Sequence, residues 1–71
     1  MYHLQNQVTG EYVKALVKLR DGKYAVYYTP DIKQAMERWA TLRGAEAAMA
    51  RLYNSGTVPV GMLVVVGEAA T

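Results

Sequence analysis

An α+β fold is predicted for this chain: a three-stranded antiparallel meander, one main helix packed on one face, and a C-terminal strand joining the sheet. Three observations carry that prediction. Two turn signals, Thr9-Gly10 and Asp21-Gly22, separate runs rich in Val, Tyr and Leu. Apolar residues at helical spacing run from Ile32 to Tyr53, and "TVPVGMLVVVG", Thr57 to Gly67, is apolar at both parities. With 71 residues the chain reads as one domain, residues 1–71. A domain near this size buries only about 60% of the surface its unfolded chain exposes, so a thin core is expected.

Composition narrows the class. Half of the residues are hydrophobic, 52%, which is globular and not disordered composition. A net charge of +2 is too small to name a partner. Without cysteine there is neither a disulfide framework nor a thiolate metal site. The apolar run around Val58 to Val66 falls far short of the roughly 20 residues that span a bilayer. "MYHLQNQ" has neither the basic nor the apolar region of a signal peptide. A cytoplasmic protein with no membrane partner is therefore expected.

The meander follows from its turns. "LRDGKY" is a hairpin signal, because a two-residue type I′ turn needs positive φ at both central positions, which Asp-Gly supplies. Such a turn sets Leu19 opposite Tyr24, Val17 opposite Val26 and Ala15 opposite Tyr28. In "QVTGEY", a loop of two or of four residues pairs even positions of the first strand with odd positions of the second. Tyr2 and Leu4 then lie beside Val13, Ala15 and Val17. Both turns thus select one apolar face, whereas a slip of one residue turns every side chain over.

Alternation gives the opposite face His3, Gln5 and Gln7, then Tyr12, Lys14, Leu16, Lys18 and Arg20, then Lys23, Ala25, Tyr27 and Thr29. Cations and flat rings together suit nucleic acid, and the candidate contacts are Tyr12, Lys14, Lys18, Arg20, Lys23 and Tyr27. The same residues are also ordinary on the solvated face of an antiparallel sheet.

Residues 31–54 read in two ways. Ile32, Ala35, Met36 and Trp39 make one amphipathic stripe and Leu42, Ala45, Met49, Leu52 and Tyr53 a second, but the stripes are dislocated near Gly44. One helix of about 24 residues would be about 36 Å long, against a radius of gyration of about 11 Å for a domain of this size. The alternative starts one short turn at Pro30-Asp31, runs extended from Glu37 to Ala40, and caps a new helix at Thr41 that ends at Asn54 with Gly56 beyond. The broken form is favoured, since Gly44 then sits in a first turn.

The last strand, Val58 to Val66, reads as covered on both faces, although one helix covers only one. Pro59 and Gly61 suit an edge. Self-association or another protein partner is the expected cover for the row Val60, Met62, Val64 and Val66. Local packing by Tyr2, His3, Leu16 and Tyr27 is the alternative.

No chemistry stands out. His3 is the sole histidine and lies near an end expected to be mobile. Ser55 beside Gly56 fits a helix-ending turn, the carboxylates are dispersed, and Met36, Met49 and Trp39 read as core. No catalytic, cofactor-binding or metal-binding residue is expected, and the chain is read as non-catalytic.

The order "TGEYV", "DGKY", "PDIKQA", an aromatic, and a Thr ahead of "AEAAMARL" resembles small bacteriophage and prophage proteins with a hairpin core, one helix and a last strand. That resemblance implies a phage or prophage accessory protein. Tyr12 and Glu46-Ala47-Ala48 also resemble positions in plant DNA-binding domains built from a three-stranded sheet and a helix. Arg20 is the only arginine on the strands here, and those domains need no apolar strand after the helix.

Overall fold

A computed structural model describes residues 1–67. Strands β1 (Tyr2–Asn6), β2 (Tyr12–Lys18) and β3 (Tyr24–Thr29) are followed by a single 3₁₀ turn at Ile32–Gln34, helix α1 (Leu42–Asn54) and strand β4 (Leu63–Gly67). The four strands form one antiparallel sheet in the order β3-β2-β1-β4, with α1 packed on it. This is the predicted α+β architecture. Leu4, Val13, Leu52, Val58 and Leu63 form the core, joined by the partly buried Leu16, Tyr24, Val26, Tyr28, Trp39, Met49, Tyr53 and Val65.

The segment before α1 is broken, as the dislocated stripe favours. Thr41 is extended and its hydroxyl accepts the Gly44 N–H at 3.1 Å, so α1 starts with a side-chain cap. Ala45, Ala48 and Leu52 form its buried stripe. At its end Gly56, with φ +75°, lets the Thr57 N–H return to the Leu52 carbonyl, which closes the helix with a left-handed residue.

The β1–β2 loop keeps the expected parity, with Gln5 opposite Tyr12. Asn6 is buried, and its Oδ1 accepts the N–H groups of Val8 and Thr9. The β2–β3 hairpin departs from the expected register. Its turn has three residues, Arg20 to Gly22, closed by the Leu19 N–H on the Lys23 carbonyl, and only Gly22 takes positive φ, +86°. Asp21 is spared the left-handed conformation a type I′ turn demands, and its carboxylate accepts the Lys23 N–H instead. The pairing slips by one, with Lys18 opposite Tyr24, Val17 opposite Ala25 and Leu16 opposite Val26. Cross-strand partners share a face. Leu16 therefore joins Tyr24 and Val26 under the helix, while Val17 and Leu19, expected there, are 48% and 45% exposed.

A bulge between Val13 and Ala15 adds one residue to β2 and shifts the register by one more, which restores the expected parity, so Val13 faces the helix opposite Tyr28. The Lys14 carbonyl at this bulge accepts the N–H groups of Met36 and Glu37, at 3.0 and 3.1 Å. Three residues on from Met36, Trp39 pairs with Tyr2 through both backbone groups. The connection from β3 to α1 thus lines the stretch where β1 and β2 no longer pair with each other.

Candidate interaction edge

β4 pairs with β1 alone and so lies at one edge of the sheet. The strand is shorter than expected. Val58 is buried in the core, and the Met62 N–H on the Pro59 carbonyl makes Pro59 to Met62 a turn, so Val60 sits outside the strand at 82% exposure. Leu63 and Val65 pack toward the helix, whereas Val64, 37% exposed, and Val66 alternate with them. Of the row expected for self-association, only Val64 and Val66 belong to β4.

The register assigns each backbone group of β4 a direction. Gln7 donates its N–H to the Met62 carbonyl, and stepping by two along the pairing directs Val64 and Val66 toward β1. Leu63, Val65 and Gly67 then direct theirs to the free side. At Leu63 those groups are engaged. The Leu63 N–H donates to Tyr53 Oη at 3.0 Å, Tyr53 Oη donates to the Leu63 carbonyl at 3.1 Å, and Gln7 Nε2 also reaches that carbonyl at 3.3 Å. The opposite edge is closed in a comparable way: Tyr24 donates its N–H to Thr57 Oγ1 at 3.1 Å. The end of α1 and the turn after it therefore supply a hydroxyl to each outer strand.

Beside β4 runs an open groove of about 290 Å³, lined by Leu42, Glu46 and Met49 of the helix and by Leu63, Val64 and Val65. A free strand edge next to a groove between strand and helix is the arrangement into which an extended segment can add, with main-chain bonds for affinity and alternate side chains for specificity. Tyr53 was read only as part of the helical stripe. The signal for more was its chemistry, since a phenol buried along its ring needs a partner for its hydroxyl.

The six residues considered for nucleic acid do not share one face. Tyr27, 56% exposed, pairs with Ala15 on the face away from the helix, while Lys18 shares the face of Tyr24. Arg20 belongs to the turn and Lys23 closes it, Lys14 is the bulged residue, and Tyr12 pairs with both Gln5 and Thr29. The slip thus puts Ala15 and Val17 beside Tyr27 and Ala25 on the outer face, where Leu16 and Lys18 were expected. His3, expected near a mobile end, is instead buried at 1% exposure in β1 opposite Val66. Among the described residues no cluster of three or more His, Cys, Asp or Glu side chains is placed to hold a metal ion, and no helix is long and apolar enough to cross a membrane.

Compared with known protein families, curated proteins and solved structures, the chain matches none.

Proposed function

We propose that this chain is a small non-catalytic interaction module that accepts a strand along the free edge of β4, a second copy of the chain being the simplest partner. One observation carries the reading: β4 is an outer strand with Val65 and Gly67 directed outward beside the groove of α1. Apolar side chains taken from water contribute roughly 1.5–3 kcal/mol each, so Val64 and Val66 of each subunit, with the backbone bonds along the edge, act against an association cost of about 4 to more than 15 kcal/mol. Twofold pairing closes the arrangement. We assign the protein to the cytoplasm on its cysteine-free composition. A phage or prophage accessory role is the setting implied by the order of its turn and capping motifs.

Sedimentation at high micromolar concentration tests the proposal. Dimerisation is expected, lost on Val64→Lys with the melting temperature nearly unchanged, and a monomer throughout refutes it. A nucleic-acid role predicts instead that Lys14→Ala with Lys18→Ala lowers the salt slope of binding by about two. The dispersal of the cations leads us to expect no such binding at physiological salt.

A further inference from the structure

We infer that Asp21-Gly22 is a self-modification site, at which the folded protein isomerises Asp21 to isoaspartate through a succinimide and so resets the end of the β2–β3 hairpin. Residues 17–23 are all exposed, and β3 is the sheet edge opposite β4. The reaction needs no partner but water. The Gly22 nitrogen attacks Asp21 Cγ and forms the N–Cγ bond. A carboxyl oxygen leaves as water with the Gly22 N–H proton and one proton from solvent. The ring so closed holds the Gly22 nitrogen and the main-chain carbonyl carbon, Cα, Cβ and Cγ of Asp21. One water then opens it and returns the proton. Cleavage at Cγ gives aspartate again, whereas cleavage at the main-chain carbonyl leaves Gly22 linked through Cγ and the former main-chain carboxyl free.

Three features of the turn favour the first step. Asp21 Oδ1 accepts the Lys23 N–H at 3.0 Å, a bond that spans the Gly22 amide, holds the carboxyl beside it and polarises Cγ. The Gly22 N–H gives up only a long bond, 3.3 Å to the Leu19 carbonyl. Nothing lies within 4 Å of a Cβ built on Gly22, so no side chain or neighbour obstructs ring closure. Asp31 is an internal control. Its Oδ1 accepts the Lys33 N–H at 2.9 Å in the same arrangement, but the β-branched Ile32 crowds the attacking nitrogen. Asn54 precedes Ser55, whose N–H is held by the Arg51 carbonyl at 3.0 Å as a continuation of the helix. The product adds one backbone atom, Cβ, to the turn. Val17 and Leu19 are exposed, so burial does not oppose a new pairing at this end of the hairpin. The isoaspartyl group formed is the one that isoaspartyl carboxyl methyltransferases recognise.

Incubation of the full chain in heavy-oxygen water near neutral pH, in native buffer and in urea, tests the site. Each passage through the ring leaves heavy oxygen on Asp21, read by peptide mapping, and isoaspartate blocks cleavage by an Asp-directed protease. Label is expected at Asp21 but not at Asp31, and is expected to be lost in Asp21→Ser, which keeps an oxygen for the Lys23 N–H. Label no greater at Asp21 than at Asp31 overturns the site, whether or not Asp21→Ser folds. A reaction confined to the unfolded chain runs slower in native buffer by the unfolded fraction, about a thousandfold or more. A native rate less than about a hundredfold below the urea rate therefore supports reaction in the folded turn, and a larger deficit overturns it. Amide exchange of the isolated isoaspartyl form reads the consequence. The Leu19 N–H, bonded to the Lys23 carbonyl, is expected to exchange faster than in the unmodified protein, and the Asn6 N–H, bonded to the Glu11 carbonyl, at an unchanged rate. An unchanged Leu19 rate, or an accelerated Asn6 rate, overturns a resetting confined to the hairpin end.

Discussion

The β1–β4 and β2–β3 pairings differ in what fixes their register. β1 and β4 run opposite each other without interruption from Tyr2–Gly67 to Asn6–Leu63, and both carry buried leucines, Leu4 and Leu63, beneath α1. β2 and β3 pair with a bulge, and the end of their hairpin exposes Val17 and Leu19. Where a helix covers the strand, burial penalises the wrong parity at each position. In β2 apolar residues stand at both parities, so that penalty is weak there, and the turn chooses the register.

The largest expected contrast is between apolar residues of these two regions. Leu4→Ala should destabilise by about 2–5 kcal/mol in urea unfolding, because a fully buried leucine leaves a cavity. If it costs no more than an exposed substitution, the distinction between covered and uncovered pairings is lost. Gly22→Ala should cost about 1–2 kcal/mol, since φ +86° forces alanine into the left-handed region although no atom lies within 4 Å of the added Cβ. A negligible change would mean that the hairpin relaxes to another turn, and the β2–β3 amide pattern would show it.

Thr41→Ala should remove about 0.5–2 kcal/mol through loss of the bond to the Gly44 N–H. The same measurement sharpens the comparison, because the cap belongs to the element that covers β1 and β4. Leu19→Ser should lie within about 0.5 kcal/mol of zero, as expected of an exposed position outside the core. A cost near that of Leu4→Ala would place Leu19 under cover and restore the two-residue turn.

The helix boundaries were legible because they are local. Thr41, Gly44 and Gly56 act on backbone groups within a few residues of themselves. The parity of β3 was legible too, as Tyr24, Val26 and Tyr28 alternate on the helix side. The parity of β2 was not. Its sequence offers Val13, Ala15 and Val17 on one side and Leu16 on the other, so both faces look acceptable, and a bulge lets Val13 and Leu16 be buried together. At the candidate site, alternation separated Val64 and Val66 from Leu63 and Val65, but the outward backbone of Val65 and Gly67 was not foreseen and Tyr53 was missed, because its hydroxyl acts on Leu63, ten residues along the chain.

By itself the sequence determined the kinds of element and their order and favoured a break ahead of Thr41 without deciding it, since capping, turn chemistry and periodicity are properties of neighbouring residues. Tertiary structure alone decided that β4 joins β1 at an edge, that β2 bulges to meet the chain between β3 and α1, and which strand groups receive the hydroxyls of Tyr53 and Thr57. Those outcomes depend on groups far apart in the chain competing for the same backbone donors and acceptors and the same buried space. No local pattern records that competition.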